Sequence, residues 1–359
     1  MKFLKLFVGA VLLATLSNIA LAELKLIKRT VVPFGDGGYM MELVSDDGRH
    51  YWVVSDAEDD KKQEKIFFLH IEDFFDGHSP RRVVLDNAPM FVASGLQHGL
   101  LAITKGYENM EWIAVKLNKE LTKVEKNGEL KSILAITETA KVGDKYIVAG
   151  VSKDNMPILV KMSDGFKVER ELIVRSKKEG RVGSVFVQAG KVFATVGFMD
   201  GTSELWKLSP DLSILEKVKL EGAAATGIPL RDGGFAVAYT SLPNLDVFVE
   251  KFNKNAQSLW KKKIYTVART GAGGAHVLCE LQDGLGLVGG YNDRLLVARI
   301  DANGQRVRIT EDTRSGLSVP SNPAGYLVGV LDNKIHVRGM ARNLDASSTS
   351  FHFVETATP

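Results

Sequence analysis

The amino-acid sequence predicts an all-β chain built from repeated units of four short antiparallel strands. Two different sequence elements recur along the chain, and both return after about 45 residues. Between Tyr39 and Phe353, no segment shows the apolar spacing of about 3.6 residues that an amphipathic helix requires. Two independent elements with one shared period indicate a repeat architecture.

The first recurring element is an apolar strand, usually led by a glycine or a lysine. KYIVAGVS, from Lys145, and GFAVAYTS, from Gly234, are clear examples. Its copies align on a set of apolar or small residues: Val53, Leu101, Ile147, Phe193, Ala236, Gly286 and Leu327.

The second element lies about 15 residues further on and is an alternating strand that ends in a basic residue, an apolar residue and a turn former. Its apolar anchors are Ile71, Leu117, Met162, Leu208, Phe252 and Ile300. A last copy, around residues 335–340, has degenerated, as terminal repeats often do.

Within one unit the sequence predicts four strands, for example ILAITETA, KYIVAGVS, MPILVKMS and FKVERELIV. The links between them carry the Gly, Asp and Asn residues that tight hairpins favour. Four short antiparallel strands repeated at this period are typical of a β-propeller blade. The copies therefore predict a seven-bladed β-propeller.

The predicted propeller is one domain, residues 23–359. We expect the segment Leu24–Pro33 to pair with the last blade, which closes the ring and hides two sheet edges. The alternative is six blades with a decorated N-terminal sheet.

Residues 1–22 have the features of a signal peptide. Lys2 and Lys5 precede an apolar run at residues 6–16, and Ala20-Leu21-Ala22 offers a small-x-small cleavage pattern. The run is shorter than the 20 or so apolar residues of a membrane span. We expect cleavage after Ala22 and a soluble protein in the periplasm or secreted; the alternative is an uncleaved anchor.

Composition excludes some partners and sites. The full chain has 46 Lys and Arg and 43 Asp and Glu residues, a formal net charge of +3. A chain so close to neutrality lacks the basic character of a nucleic-acid binder. Cys279 is the one cysteine of the sequence, so neither an intramolecular disulfide nor a Cys-rich zinc site can form.

Residues 250–265 and 297–309 resemble bacterial exported propeller repeats of the delta-60 and quinoprotein-like kind. Those repeats carry a strand, Lys or Arg, an apolar residue, Asn or Asp, Gly, and then Trp-Lys; Trp260 stands at the expected place. The resemblance implies architecture and raises the expectation of protein binding. Quinoprotein dehydrogenases also need a tryptophan in each blade, whereas Trp52, Trp112 and Trp206 are on other strands. We therefore expect no cofactor.

No sequence motif of a hydrolase or a phosphate-binding loop occurs. The run TGAGGAH at residues 270–276 is not followed by a helix and predicts a loop between blades. His276 and Glu280 share one face of a predicted inner strand, which makes them candidates for lining the channel as a metal or acid–base pair. The same pattern fits structural polar residues, and we assign no catalytic or metal-binding residue. Cys279 is expected to be a buried thiol.

Loops that join blades, and loops that join second and third strands, should open on one face of a propeller. Aromatic, Met and Arg residues in these loops are the types enriched in the cores of protein interfaces. The candidate partner-binding residues are Tyr107, Met156, Phe198, Met199, Tyr291, Arg181 and Arg269.

The predicted function is an exported, monomeric binding protein that engages a partner protein of the cell envelope, for assembly, escort or sequestration. It has no predicted membrane span and no nucleic-acid partner. Two alternatives remain: an enzyme with an axial pocket for a sugar or small polar substrate, and a non-catalytic module that binds a small ligand.

Overall fold

The computed structural model describes part of the chain. The described residues are 24–33, 39–45, 51–58, 64–70, 82–84, 92–95, 100–104, 111–118, 122–175, 178–241, 244–267, 277–291, 294–311, 326–331, 334–342 and 348–356. Side chains are described mainly between residues 111 and 311.

All the secondary structure of the described residues is β-strand or turn. In chain order the strands are β1 (Leu24–Pro33), β2 (Tyr39–Ser45), β3 (Tyr51–Glu58), β4 (Glu64–His70), β5 (Arg82–Val84), β6 (Val92–Gly95), β7 (Leu100–Thr104), β8 (Trp112–Leu117), β9 (Val124–Leu130), β10 (Ile133–Val142), β11 (Lys145–Ser152), β12 (Pro157–Met162), β13 (Val168–Ile173), β14 (Gly180–Gln188), β15 (Lys191–Phe198), β16 (Ser203–Leu208), β17 (Ile214–Leu220), β18 (Ala223–Pro229), β19 (Phe235–Ser241), β20 (Asp246–Phe252), β21 (Ser258–Thr266), β22 (Val277–Glu280), β23 (Gly284–Tyr291), β24 (Arg294–Asp301), β25 (Val307–Glu311), β26 (Tyr326–Leu331), β27 (Lys334–Arg342) and β28 (Ser348–Thr356).

These strands pair into four-stranded antiparallel sheets, which confirms the predicted all-β architecture. Successive strands are neighbours in the sheets β2–β5, β6–β9, β10–β13, β14–β17, β18–β21 and β22–β25. The remaining sheet has the order β1-β28-β27-β26, with Leu24 opposite Thr356 and Pro33 opposite Ser348. The number of blades in the ring stays a prediction, because most side chains of the first and last sheets lie outside the described residues.

The two sequence repeats correspond to the second and third strands of the sheets. Ile147 on β11 and Phe193 on β15 are buried second-strand residues, while Met162 and Leu208 end the third strands β12 and β16. The last sheet differs from this pattern. Leu327 lies on β26, which is an edge strand and the first of the three C-terminal strands of its sheet, and residues 335–340 lie on β27, because β1 supplies the fourth strand of this sheet from the N-terminal side.

The turn between third and fourth strands is the same in several sheets. A Ser, Asn or Asp side chain accepts a hydrogen bond from the backbone N–H four residues later; these residues are Ser163, Ser209, Asn253 and Asp301. The residue three positions after each has a positive φ of 62–69°: Phe166, Leu212, Ala256 and Gly304. The turn formers of the second repeat thus have a backbone role.

Each of these turns sits at one end of its sheet, beside the turn between the first and second strands. We call this the tight-turn end. The backbone N–H of Ala302 donates to the carbonyl of Asp283, which joins the two turns of one sheet at 3.0 Å.

At the tight-turn end, neighbouring sheets are joined by hydrogen bonds. Gln188, the last residue of β14, donates through Nε2 to the carbonyls of Leu230 and Gly234, both at 2.7 Å. Outer strands make similar links to the following sheet: Lys126 pairs with Asp164 at 2.5 Å, and Trp260 Nε1 donates to the Ala302 carbonyl at 3.1 Å. The sheets β6–β9, β14–β17 and β18–β21 are therefore each attached to the next sheet along the chain.

The apolar core lies between adjacent sheets and varies in composition. Between β10–β13 and β14–β17 it is mostly aliphatic, with Val182, Val192 and Leu208 among its buried members. Between β14–β17 and β18–β21 it is aromatic: the ring centroids of Phe193 and Phe235 are 4.6 Å apart. Burial of these side chains is the main force that holds the sheets face to face.

Candidate interaction surface

The opposite end of the sheets carries the turns between second and third strands together with the links between sheets. We call it the link end. In the sheets β10–β13 and β14–β17 the structure brings three of its segments together: the turn at 152–156, residues 178–180 of the link between the sheets, and the turn at 198–202. The N–H of Gly180 donates to the carbonyl of Asn155 at 2.9 Å, and the N–H of Met199 donates to that of Glu179 at 3.0 Å.

The turn at 198–202 is fixed by its own hydrogen bonds. The Asp200 carboxylate accepts from the Thr202 N–H at 3.0 Å and from the Thr202 hydroxyl at 2.6 Å. Gly201 has a φ of 80°, a conformation that glycine adopts without strain. The sequence Met-Asp-Gly-Thr therefore folds locally into a turn that leaves the methionine at its tip.

Lys178, from the link between sheets, holds this turn on its other side. Its Nζ lies 2.5 Å from Asp200 Oδ2 and 5.9 Å from the centroid of the Phe198 ring. The hydrogen bond from Lys178, followed by those from Thr202, lowers the pKa of Asp200 well below its ordinary value. Asp200 consequently remains an anion at any physiological pH and keeps the link and the turn together.

Met199 is the most exposed large apolar side chain among the described residues, at 81%. The other exposed ones, Ile214, Leu215 and Leu259, lie on outer strands and not at the link end. An apolar side chain displayed on a fixed turn is a candidate anchor for a partner.

Four of the residues predicted for partner binding belong to this surface. Met156 and Phe198 are half-buried at its two turns, Met199 is exposed, and Arg181 is exposed at the start of β14, next to Gly180. Tyr107 and Arg269 lie outside the described residues. Tyr291 ends β23, and its side chain is not among those described. Their role in binding stays a prediction.

The link end of the next sheet, β18–β21, is fixed in a similar way. Asp246, at the start of β20, lies 2.7 Å from Lys263 Nζ and accepts a hydrogen bond from the Thr266 hydroxyl at 2.5 Å. The hydrogen bond from Lys263 is the main reason why the pKa of Asp246 is lowered. Asp200 and Asp246 thus each hold a part of the link end in place through contacts with a lysine and a threonine.

Of the two candidate channel-lining residues, His276 and Glu280, the structure describes only Glu280. Glu280 ends β22 at the tight-turn end, where its carboxylate accepts from the Arg231 N–H at 2.9 Å and lies 3.0 Å from Arg231 Nε. Arg231 also donates to the Leu281 carbonyl at 2.9 Å. These contacts join two sheets, so Glu280 has a structural partner. His276 lies outside the described residues, and a channel site stays a prediction.

Cys279 is half-buried, where the sequence predicted a buried thiol, and its sulfur packs against Gly286. A Cβ added to Gly286 would come within 2.5 Å of Cys279 Sγ, and burial raises the pKa of the Cys279 thiol to about 12. At neutral pH the thiol is protonated and is a poor nucleophile.

Among the described residues, no group of three or more His, Cys, Asp or Glu side chains is placed to hold a metal ion. The described part of the chain also contains no helix with the length and apolar character needed to cross a membrane.

The sequence did not point to the residues that join the sheets, among them Gln188 and Arg231. Their hydrogen-bond partners lie 42 and 49–50 residues away along the chain. The one signal in the sequence is the number of residues that separates each side chain from its partners, since it is close to the length of one repeat.

Two solved structures are similar to this chain in fold. The WD40 domain of Toxoplasma gondii coronin superposes with a TM-score of 0.53 at 10% sequence identity, covering 94% of this chain and 89% of that one. BBS1N, solved in complex with ARL6DN, gives a TM-score of 0.50 at 11% identity, covering 94% and 98%. No protein-family model and no curated protein sequence matches.

At this level of identity the likeness shows the fold alone, a β-propeller architecture. The finer resemblance to delta-60 and quinoprotein-like repeats stays a prediction.

Proposed function

We propose that this chain is an exported, seven-bladed propeller that binds a protein partner of the cell envelope through its link end. Residues 23–359 would form one domain, and the partner would be assembled, escorted or sequestered. Two observations outside the site support this proposal: the signal-peptide features of residues 1–22, and the likeness in fold to the WD40 domain of coronin and to BBS1N, which was solved in complex with ARL6DN.

The exposure of Met199 is the observation that carries the proposal. Moving its side chain out of water into an interface contributes favourably, because apolar burial is worth about 25 cal/mol per Å². The turn that carries it is already fixed by Asp200, Thr202 and Lys178, so little ordering is required when a partner binds. Flanking Phe198 and Arg181 are of the types that interface cores favour.

The experiment that tests the binding surface is capture of a partner from the native envelope by tagged protein lacking residues 1–22. The test variant is Met199→Glu, which places a charge at the centre of the surface. The matched control is Ala189→Glu, an exposed position in the turn at the opposite end of β15. We expect one stoichiometric protein, identified by mass spectrometry, to be retained by wild type and by Ala189→Glu and to be lost with Met199→Glu.

Retention that is equal in both variants, or no retained protein, contradicts the proposed surface. The triple variant Tyr107→Ala, Phe198→Ala, Tyr291→Ala extends the test to the rest of the face.

Export is tested separately by fractionating cells that express the full chain and sequencing the N-terminus of the recovered protein. A new N-terminus at Glu23 in the periplasm or the medium is the expected result. Recovery of the intact chain in the cytosol contradicts export.

A further inference from the structure

The outer strands differ from one sheet to the next at one equivalent position. In the sheets β6–β9, β10–β13, β14–β17 and β18–β21, the register of pairing shifts after the turn between third and fourth strands, and one residue of the fourth strand has no opposite partner, as in a β-bulge. In four successive sheets these extra residues are Glu125 on β9, Glu169 on β13, Leu215 on β17 and Leu259 on β21.

The two leucines are largely exposed, Leu215 at 55% and Leu259 at 56%. Glu169, at the equivalent position, forms an ion pair within its own sheet, since its carboxylate lies 2.6 Å from Lys145 Nζ. The leucines therefore place apolar surface in water at a position where the fold accepts a charged residue.

Lysines follow each leucine. Both strands read Leu-x-Lys-x-Lys, with Lys217 and Lys219 on β17, and Lys261 and Lys263 on β21. β21 has Lys262 in addition, so it carries three lysines and no acidic residue. In contrast, β9 and β13 each carry two glutamates and one basic residue.

Part of this positive charge is held in place by neighbouring groups. Lys261 Nζ lies 2.5 Å from Glu221 and 4.5 Å from the centroid of the Phe248 ring, and Lys263 pairs with Asp246. The only contact of Lys262 Nζ given by the structure is a long one, 3.5 Å, to the Gln305 carbonyl. Lys262 is half-buried, and it is the one lysine of this strand for which the described residues show no acidic partner, so that part of the fold leaves its positive charge without a counter-charge.

The sheet edge formed by β21 is open within the described part of the chain, where β21 pairs only with β20. Such an edge presents a row of backbone donors and acceptors that an extended segment can match. Because Lys261 is paired with Glu221 and Lys263 with Asp246, the charge of Lys262 is the one that repels the same edge of another copy and attracts a segment with carboxylates.

We propose that the outer edge of β21 is a second docking site, which takes an acidic, extended segment of a partner protein as an added strand. Leu259 contacts an apolar side chain of that segment, and Lys262 contacts a carboxylate. This site is separate from the link end and does not depend on the function proposed for it.

Two labelled peptides of equal length test the proposal: one alternates Glu and Val, and the other alternates Lys and Val. Fluorescence anisotropy with the protein lacking residues 1–22 should show binding of the acidic peptide, weakened by added salt, and no binding of the basic one. Lys262→Glu and Leu259→Asp should each weaken binding about tenfold. Lys131→Glu, an exposed charge reversal beyond the end of β9, should leave it unchanged, as should Met199→Glu.

Hydrogen exchange distinguishes strand addition from contact through side chains alone. The acidic peptide should slow exchange of alternate backbone amides along β21. The proposal is overturned by equal affinity for the two peptides, by no binding of the acidic peptide, by unchanged affinity in Lys262→Glu, or by binding without protection of β21.

Discussion

The tight-turn end and the link end of the same sheets use polar contacts for different purposes. At the tight-turn end, side chains such as Gln188 and Arg231 reach across to the backbone of the next sheet. At the link end, Asp200 and Asp246 each bind a lysine and a threonine, and these contacts hold a turn or a strand end in place. The side chains of Gln188 and Arg231 thus hold neighbouring sheets together, whereas those of Asp200 and Asp246 hold segments of the link end in a defined position.

This difference leads to an expectation about substitutions. Changes at the tight-turn end should lower the free energy of unfolding, since they leave backbone groups without partners or force sheets apart. Changes at the link end should affect binding and leave stability nearly untouched. Four measurements test this contrast.

The largest effect is expected for Gly128→Ala on β9. A Cβ at this position would come within 1.9 Å of the Phe166 carbonyl oxygen, which is backbone of the next sheet and cannot move aside by itself. We expect a loss of about 3 kcal/mol in the free energy of unfolding, measured by chemical denaturation. Gly165→Ala is the control, because its new Cβ would meet nothing closer than 3.6 Å. Equal stability of the two variants would contradict the close approach of the sheets.

The next effect is expected for Gln188→Ala. This change removes the Nε2 donor from the carbonyls of Leu230 and Gly234 and should cost about 1–2 kcal/mol. Gln305→Ala, an exposed position in a turn at the same end, should change the free energy of unfolding by less than about 0.5 kcal/mol. A Gln188 variant as stable as wild type would show that these inter-sheet bonds contribute nothing.

A smaller effect, dependent on pH, is expected for Asp232→Asn. The hydrogen bond from Lys251, at 2.7 Å, is the largest cause of the lowered pKa of Asp232. A carboxyl whose pKa is lower in the folded state stabilises above its unfolded pKa of about 3.9, and this contribution is lost as pH falls through the folded value. Thermal unfolding should therefore separate wild type from variant at pH 7 and bring them together in acid. If the difference in melting temperature between wild type and Asp232→Asn did not change with pH, the ion pair would not be the source of that difference.

The smallest effect on stability is expected for Met199→Glu at the link end. Because this side chain is mostly in water already, the melting temperature should remain within error of wild type, even though partner capture is lost. A clear drop in melting temperature would mean that Met199 packs against the fold and is not an anchor for a partner.

The sequence was sufficient to predict the parts of the fold that repeat locally. Second strands around Ile147 and Phe193 are apolar and short, and Ser163 or Asn253 marks the turn that follows a third strand. The last sheet was harder to assign, because β26 has the same apolar character as a second strand but is an edge strand, and β1 completes the sheet from the N-terminal side.

The candidate surfaces were only partly visible in the sequence. Met199 and Phe198 were identified from their place in a loop. The exposure of Leu215 and Leu259 could not be predicted from the sequence, because the alternation of apolar and polar residues assigns an apolar residue of a strand to the core. A β-bulge breaks that alternation, and its position depends on the geometry of the turn before it.

The pairing of β1 with β28 has a mechanical consequence. Leu24 lies opposite Thr356 and Pro33 opposite Ser348, so the N-terminal end of β1 lies beside the C-terminal end of β28. A pull that separates Leu24 from Thr356 loads the hydrogen bonds of this pair one after another and peels β1 away. The same strands pulled along their length would share the load across all the bonds at once. Tension between the two ends of the chain should therefore open the protein at this seam, at low force, while the other sheets are still folded.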